Sequence, residues 1–121
     1  MLRIQQAIDA LGQAVPGSFQ QSDTIYTNVM VASTAQYVTA PAGANIVVIG
    51  VSAGADLYLL MGVTSGLSIP AATATETAGA ESIPELLPGA AGGPFVRQLN
   101  GNTKFGIISA GTPVVTLAFY S

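Results

Sequence analysis

Apart from Ala40 and Ser52, residues 36–61 read Gln36-Tyr37-Val38-Thr39, Pro41-Ala42-Gly43-Ala44-Asn45, Ile46-Val47-Val48-Ile49-Gly50-Val51, Ala53-Gly54-Ala55-Asp56 and Leu57-Tyr58-Leu59-Leu60-Met61. Three short runs of aliphatic, β-branched and aromatic residues are separated by clusters of Pro, Gly, Asn and Asp. This is the punctuation of an antiparallel all-β domain, in which strands of 4–8 residues alternate with turns. The unbroken aliphatic stretch is only Ile46 to Ile49, whereas a membrane-spanning helix needs about 20 predominantly apolar residues. Two strands and a turn are therefore expected where the chain is greasiest.

The same grammar extends in both directions. Upstream, Thr24-Ile25-Tyr26-Thr27-Asn28-Val29-Met30-Val31 alternates with period two: Ile25, Thr27, Val29 and Val31 share one face, and Tyr26, Asn28 and Met30 share the other. Downstream, Phe95-Val96-Arg97-Gln98-Leu99, Asn100-Gly101 and Thr103-Lys104-Phe105-Gly106-Ile107-Ile108 carry the signature of a β-hairpin, because Asn-Gly readily takes the positive φ values of a type I′ turn. Ala110-Gly111-Thr112-Pro113 then leads into Val114-Val115-Thr116-Leu117-Ala118-Phe119-Tyr120, apolar on both faces. Such a strand is expected inside a sheet, closing a sandwich.

Two segments depart from this grammar. Between Gly62 and Pro94, small residues and Pro70, Pro84 and Pro88 dominate, with Glu76, Glu81 and Glu85 as the charges. Short edge strands are expected near Leu67-Ser68-Ile69 and Ile83–Leu87, joined by an exposed loop over 71–80. At the N-terminus, Ile4, Ile8, Leu11 and Val15 recur at helical spacing until Pro16-Gly17 ends the pattern. About three turns of helix are marginal in isolation, so these four residues are expected to dock, on the domain itself or as an assembly interface with neighbouring copies. The predicted organisation is a helical arm over 1–17 and one jelly-roll-like β-sandwich over 18–121, with a long excursion at about 63–94.

Composition narrows the functions. The chain has 121 residues, of which 50% are hydrophobic and only 7% charged, with net charge -3 and no cysteine, histidine or tryptophan. A typical soluble domain is about 25% charged. Thiol and imidazole chemistry, zinc fingers, iron–sulfur sites and disulfides are closed off. Arg3, Arg97 and Lys104 are the only cations, too few and too scattered for a nucleic-acid footprint. Gln5, Gln6 and Asp9 interrupt what would be the core of an export signal. The expectation is a protein with no membrane segment, no nucleic-acid partner and no cofactor.

No catalytic or metal-binding constellation emerges. Glu81 and Glu85 flank Ser82-Ile83-Pro84 without aromatic neighbours and read as solvated loop charge rather than a glycosidase pair. Asp56 reads as a turn residue, with no ladder of oxygen ligands at alternate positions to hold Ca²⁺. Serines and threonines lack an evident base, glycines do not form a phosphate loop before a helix, and the aromatics fall within strand patterns, as core residues do. The chain is expected not to be an enzyme.

Thr34-Ala35-Gln36-Tyr37-Val38-Thr39-Ala40-Pro41-Ala42-Gly43-Ala44-Asn45, followed by an aliphatic strand and Gly54-Ala55-Asp56-Leu57-Tyr58, resembles a pattern in small structural proteins of tailed bacteriophages. So do Arg97-Gln98-Leu99-Asn100-Gly101 and the ending Pro113 to Tyr120. The resemblance covers about residues 33–63 and 95–121. It implies a jelly-roll-like virion subunit, assembled in the host cytoplasm. The leading expectation is a capsid cement or decoration protein. Its partners would be further copies of itself, as dimer or trimer, and the major capsid protein or another virion protein. The alternatives are a neck or tail component, or a carbohydrate-binding sandwich of a tail fibre. Low charge supports assembly independently: a subunit this small cannot hide so much apolar surface, and self-association buries it.

Overall fold

A computed structural model describes residues 22–52, 55–70, 84–91 and 93–121. Among these residues eight strands run in chain order: β1 (Thr24–Val29), β2 (Gln36–Thr39), β3 (Ile46–Val51), β4 (Leu57–Met61), β5 (Glu85–Leu87), β6 (Phe95–Gln98), β7 (Lys104–Ser109) and β8 (Val114–Tyr120). A 3-10 turn, Gly89–Ala91, stands between β5 and β6. The strands form two antiparallel four-stranded sheets, ordered β1-β8-β3-β6 and β2-β7-β4-β5. The pairings are nested: β1 with β8, β2 with β7, β3 with β6, β4 with β5. That is a long hairpin rolled up on itself, joined by the additional pairs β3·β8 and β4·β7. It is the connectivity of a jelly roll, and the all-β sandwich expected from the strand grammar is the fold observed.

The core lies between the sheets and follows the period of two. Val47, Ile49 and Val51 of β3 and Val115, Leu117 and Phe119 of β8 face Val38, Leu57, Leu59, Leu87, Phe105 and Ile107 of the second sheet, all buried. Phe119 is at the centre, its ring meeting the Phe105 and Tyr26 rings at centroid distances of 6.3 and 5.2 Å. Strand β8 lies between β1 and β3, as its two apolar faces predict. Ser22, buried where β1 begins, donates its hydroxyl to Phe119 O (2.5 Å) and to Thr24 O, tying the start of β1 to the end of β8.

Three local expectations need correction. Asn100 and Gly101 do have positive φ (51° and 81°), and Asn102 N–H bonds Leu99 O at 2.9 Å, so the predicted tight turn forms. It does not make a hairpin, because β6 pairs with β3 whereas β7 pairs with β2 and β4. Leu99 N–H bonds Asn45 O and Thr103 O accepts Ala40 N–H, so the two arms of the turn are claimed by opposite sheets. Second, Leu67-Ser68-Ile69 is not a strand: Leu67 N–H donates to the Tyr37 hydroxyl at 3.0 Å. The segment crosses the outer face of the second sheet instead of extending its edge. A Cβ at Gly106 would stand 2.8 Å from Leu67 Cδ2 and 2.9 Å from Val63 Cγ1, so glycine there permits the close approach. Third, β1 stops at Val29. Met30 N–H still bonds Pro113 O, but Ser33 (φ 56°) already bonds Ser109 O, at the end of a strand in the other sheet.

Candidate assembly surface

The two sheets differ in how their outer faces are covered. The second has Val63 and Leu67 lying over Gly106, and neighbouring Ile108 is only 3% exposed. The first has no comparable cover among the described residues. In β1 the choice between faces runs against hydrophobicity. Met30 is buried and Tyr26, though 37% exposed, turns its ring toward Phe119, whereas Ile25, Val29 and, just beyond the strand, Val31 point outward, exposed by 43%, 65% and 58%. Register extends this stripe across the sheet: Ile25 stands opposite Ala118, Ala118 opposite Val48 and Val48 opposite Val96. Val29 stands opposite Val114, and Thr27 opposite Thr116, which in turn faces Gly50. Val114 and Val96 are each 42% exposed.

Within its four strands this face carries no charge. Arg97 is the one charged residue in β1, β3, β6 and β8, and it points the other way. Its Nε donates to both carboxylate oxygens of Glu85, at 3.0 and 2.9 Å, and its Nη2 donates to Glu85 Oε1. Because Glu85 belongs to β5 and Arg97 to β6, the pair closes one open side of the sandwich. Contiguous exposed apolar patches on soluble domains mark contact sites, and an uncharged one can meet another surface without desolvating an ion.

The ion pair carries its own prediction. The Arg97 guanidinium holds the Glu85 carboxyl below its ordinary value of 4.5, chiefly by hydrogen bonding. A carboxyl depressed by folding stabilises above its unfolded value, and that contribution disappears as pH falls through the lower, folded value. Both side chains are partly exposed, so the expected cost of Glu85→Gln at neutral pH is small, about 0.2–1 kcal/mol. Thermal melts of both proteins should differ at pH 7 and converge in acid well below pH 4.5. A gap that survives acidification would show that the ion pair is not its source.

The other groups singled out in the sequence lie elsewhere. Ile4, Ile8, Leu11 and Val15, the expected assembly interface, fall outside the described residues, as do Asp9, Glu76 and Glu81. Glu85 is engaged by Arg97, so solvated loop charge is replaced by an inter-sheet tie. Asp56 Oδ1 accepts Gly89 N–H at 2.9 Å, which makes it a clamp between two turns. No group of three or more Asp or Glu suited to a metal is present among the described residues. A shallow cleft of about 210 Å³ beside the 62–70 segment is lined by Leu60, Val63, Leu67, Pro70 and Pro84, with Gly66 and Ser68, and offers no acid or base among the described residues. No helix among the described residues is long and apolar enough to cross a membrane. Sequence reading placed the greasy stripe of β1 correctly on one face, but only the fold shows that this face looks outward. Comparison of the chain with protein-family models, with curated proteins and with solved structures finds no match.

Proposed function

We propose that this protein is a structural subunit of a tailed-bacteriophage virion, a cement or decoration protein that stabilises the capsid through self-association and contact with the shell. The observation that carries the reading is the outer face of the β1-β8-β3-β6 sheet, largely apolar, without charge in its strands and uncovered among the described residues. A jelly roll alone names no function, since lectins and cupins share it with viral capsid domains. What favours assembly is the combination of that face with a chain that is only 7% charged. The resemblance of the 33–63 and 95–121 motifs to small phage structural proteins points to the same kind of partner.

The test is where the protein sits. Purified particles should contain it in many copies per shell, and cryo-electron microscopy at modest resolution should show it on the outside of the capsid. Added back to expanded shells that lack it, the protein should raise their melting temperature. Density in the neck or tail would move it to the first alternative. Absence from particles, together with a glycan-dependent rise in its own melting temperature, would replace the proposal with a carbohydrate-binding module.

A further inference from the structure

We propose that β1 is a homotypic docking edge: the β1 strands of two copies pair antiparallel about a two-fold axis at Thr27, joining their first sheets into one eight-stranded sheet. The inference rests on the proposed self-association and names the strand that carries it.

Of the four sheet edges, three carry the devices that prevent strands from adding to one another. Strand β5 is three residues long, lies between Pro84 and Pro88, and holds Glu85. Strand β6 is four residues long, follows Pro94, and holds the Arg97–Glu85 pair. Strand β2 is also four residues long and is stopped by Pro41 two residues on. Strand β1 has six residues with no proline and no charge, Asp23 standing just before it, and among the described residues it is paired on one side only, by β8 along its whole length.

The polar groups on the open side of β1 follow from the ladder. Met30 N–H bonds Pro113 O, so alternation turns the N–H and C=O of Ile25, Thr27 and Val29 away from β8. In agreement, Val29 O accepts the Gln36 side-chain amide at 3.0 Å. A carbonyl has two lone pairs, so that bond leaves room for a second.

These same residues make the edge complementary to itself. Directly opposed residues in an antiparallel pair point to the same face. Centring the pair on Thr27 therefore sets Ile25 against Val29 of the second copy, Thr27 against Thr27, and inward Tyr26 against Asn28. Opposed β-branched and threonine pairs favour the register. The two-fold arrangement brings identical uncharged faces together without repulsion, and the stripe of Ile25, Val29 and Val114 continues across the axis. The chain's own first residues are the other possible occupant. A strand edge is matched by a strand, however, and Ile4, Ile8, Leu11 and Val15 recur at helical rather than alternate spacing.

Sedimentation of the wild-type chain should show a concentration-dependent dimer. Thr27→Pro removes an N–H that β8 does not use, and Thr27→Lys puts a charge at the centre of the edge. Each should weaken the dimer at least about tenfold while melting stays cooperative, and the lysine variant serves if proline disturbs folding. The chain has no cysteine, so introduced thiols report pairing directly. Thr27→Cys should oxidise to a linked dimer, as opposed Cα atoms fall within disulfide reach. Ile25→Cys should link only when mixed with Val29→Cys. An oligomer indifferent to both Thr27 variants and unlinked by Thr27→Cys overturns the edge while self-association stands. A monomer that dimerises only after deletion of residues 1–17 gives the edge to the chain's own arm and also overturns it. A monomer under every condition refutes both the edge and the self-association.

Discussion

Phe119→Asp should leave no folded protein. The ring is fully buried, opposite Thr24 in β1 and Val47 in β3, and it touches Tyr26 and Phe105. Truncating such a ring costs about 3–5 kcal/mol, and a carboxylate with no partner in its place costs several more. A domain is held by only about 5–15 kcal/mol in total, so little or nothing remains. The position adds to the effect: β8 joins β1 to β3, and the Phe119 carbonyl receives the Ser22 hydroxyl. Circular dichroism should show loss of the β signal, with the protein recovered mainly as aggregate. Phe119→Leu keeps most of the volume and should fold, about 1–3 kcal/mol less stable. A soluble, cooperatively melting aspartate variant would mean that residue 119 is not in the core.

Strand positions were legible from sequence because they depend on local physics. Turn formers and period-two alternation mark β2, β3, β4 and β8 with the bounds observed. Partnership between strands is not local. Asn100-Gly101 makes the turn that its φ preferences dictate, yet whether the flanking strands pair is decided by Asn45, Ala40 and the sheets to which they lead. The direction of the β1 faces was likewise hidden. Ranking by hydrophobicity would bury Ile25, Val29 and Val31, but buried Met30 and the edge-to-face contact of Tyr26, itself 37% exposed, with Phe119 anchor the opposite choice. Leu67-Ser68-Ile69 has strand-like composition but lies flat over Gly106, held by the Tyr37 hydroxyl. The candidate surface was thus half readable: the stripe in the alternation, its outward direction only in the fold. The other proposed interface, Ile4, Ile8, Leu11 and Val15, belongs to residues the structure does not describe.

Gly89→Ala should be the most damaging single-methyl change among the described glycines, and contact rather than backbone conformation is the cause. A Cβ at 89 would stand 1.9 Å from Ala55 O and 2.3 Å from Ala55 C. Both are backbone atoms, so no rotamer change relieves the clash. Ala55 cannot retreat either. Its neighbour Asp56 is fastened to β7 by the Ser109 hydroxyl on Asp56 O (2.7 Å), and Leu57, next in the chain, is fully buried. Gly111 also crowds it, since a Cβ there would stand 2.9 Å from Ala55 Cβ. The 3-10 turn must therefore move, which breaks the 2.9 Å bond from Gly89 N–H to Asp56 Oδ1 and loosens β5, which packs buried Leu87. Overpacking of this kind costs about 1–3 kcal/mol, and the lost charge-assisted bond adds about 1.5–3. Gly101→Ala isolates the alternative cause, since residue 101 has φ 81° with nothing within 4 Å of a Cβ. It should lose only about 1 kcal/mol, the cost of placing a side chain in left-handed backbone. Asp56→Ala in the Gly89→Ala background should add less than it does alone, because both changes break the same bond. Full additivity in that cycle, measured by urea unfolding, would show that the methyl acts without displacing the turn.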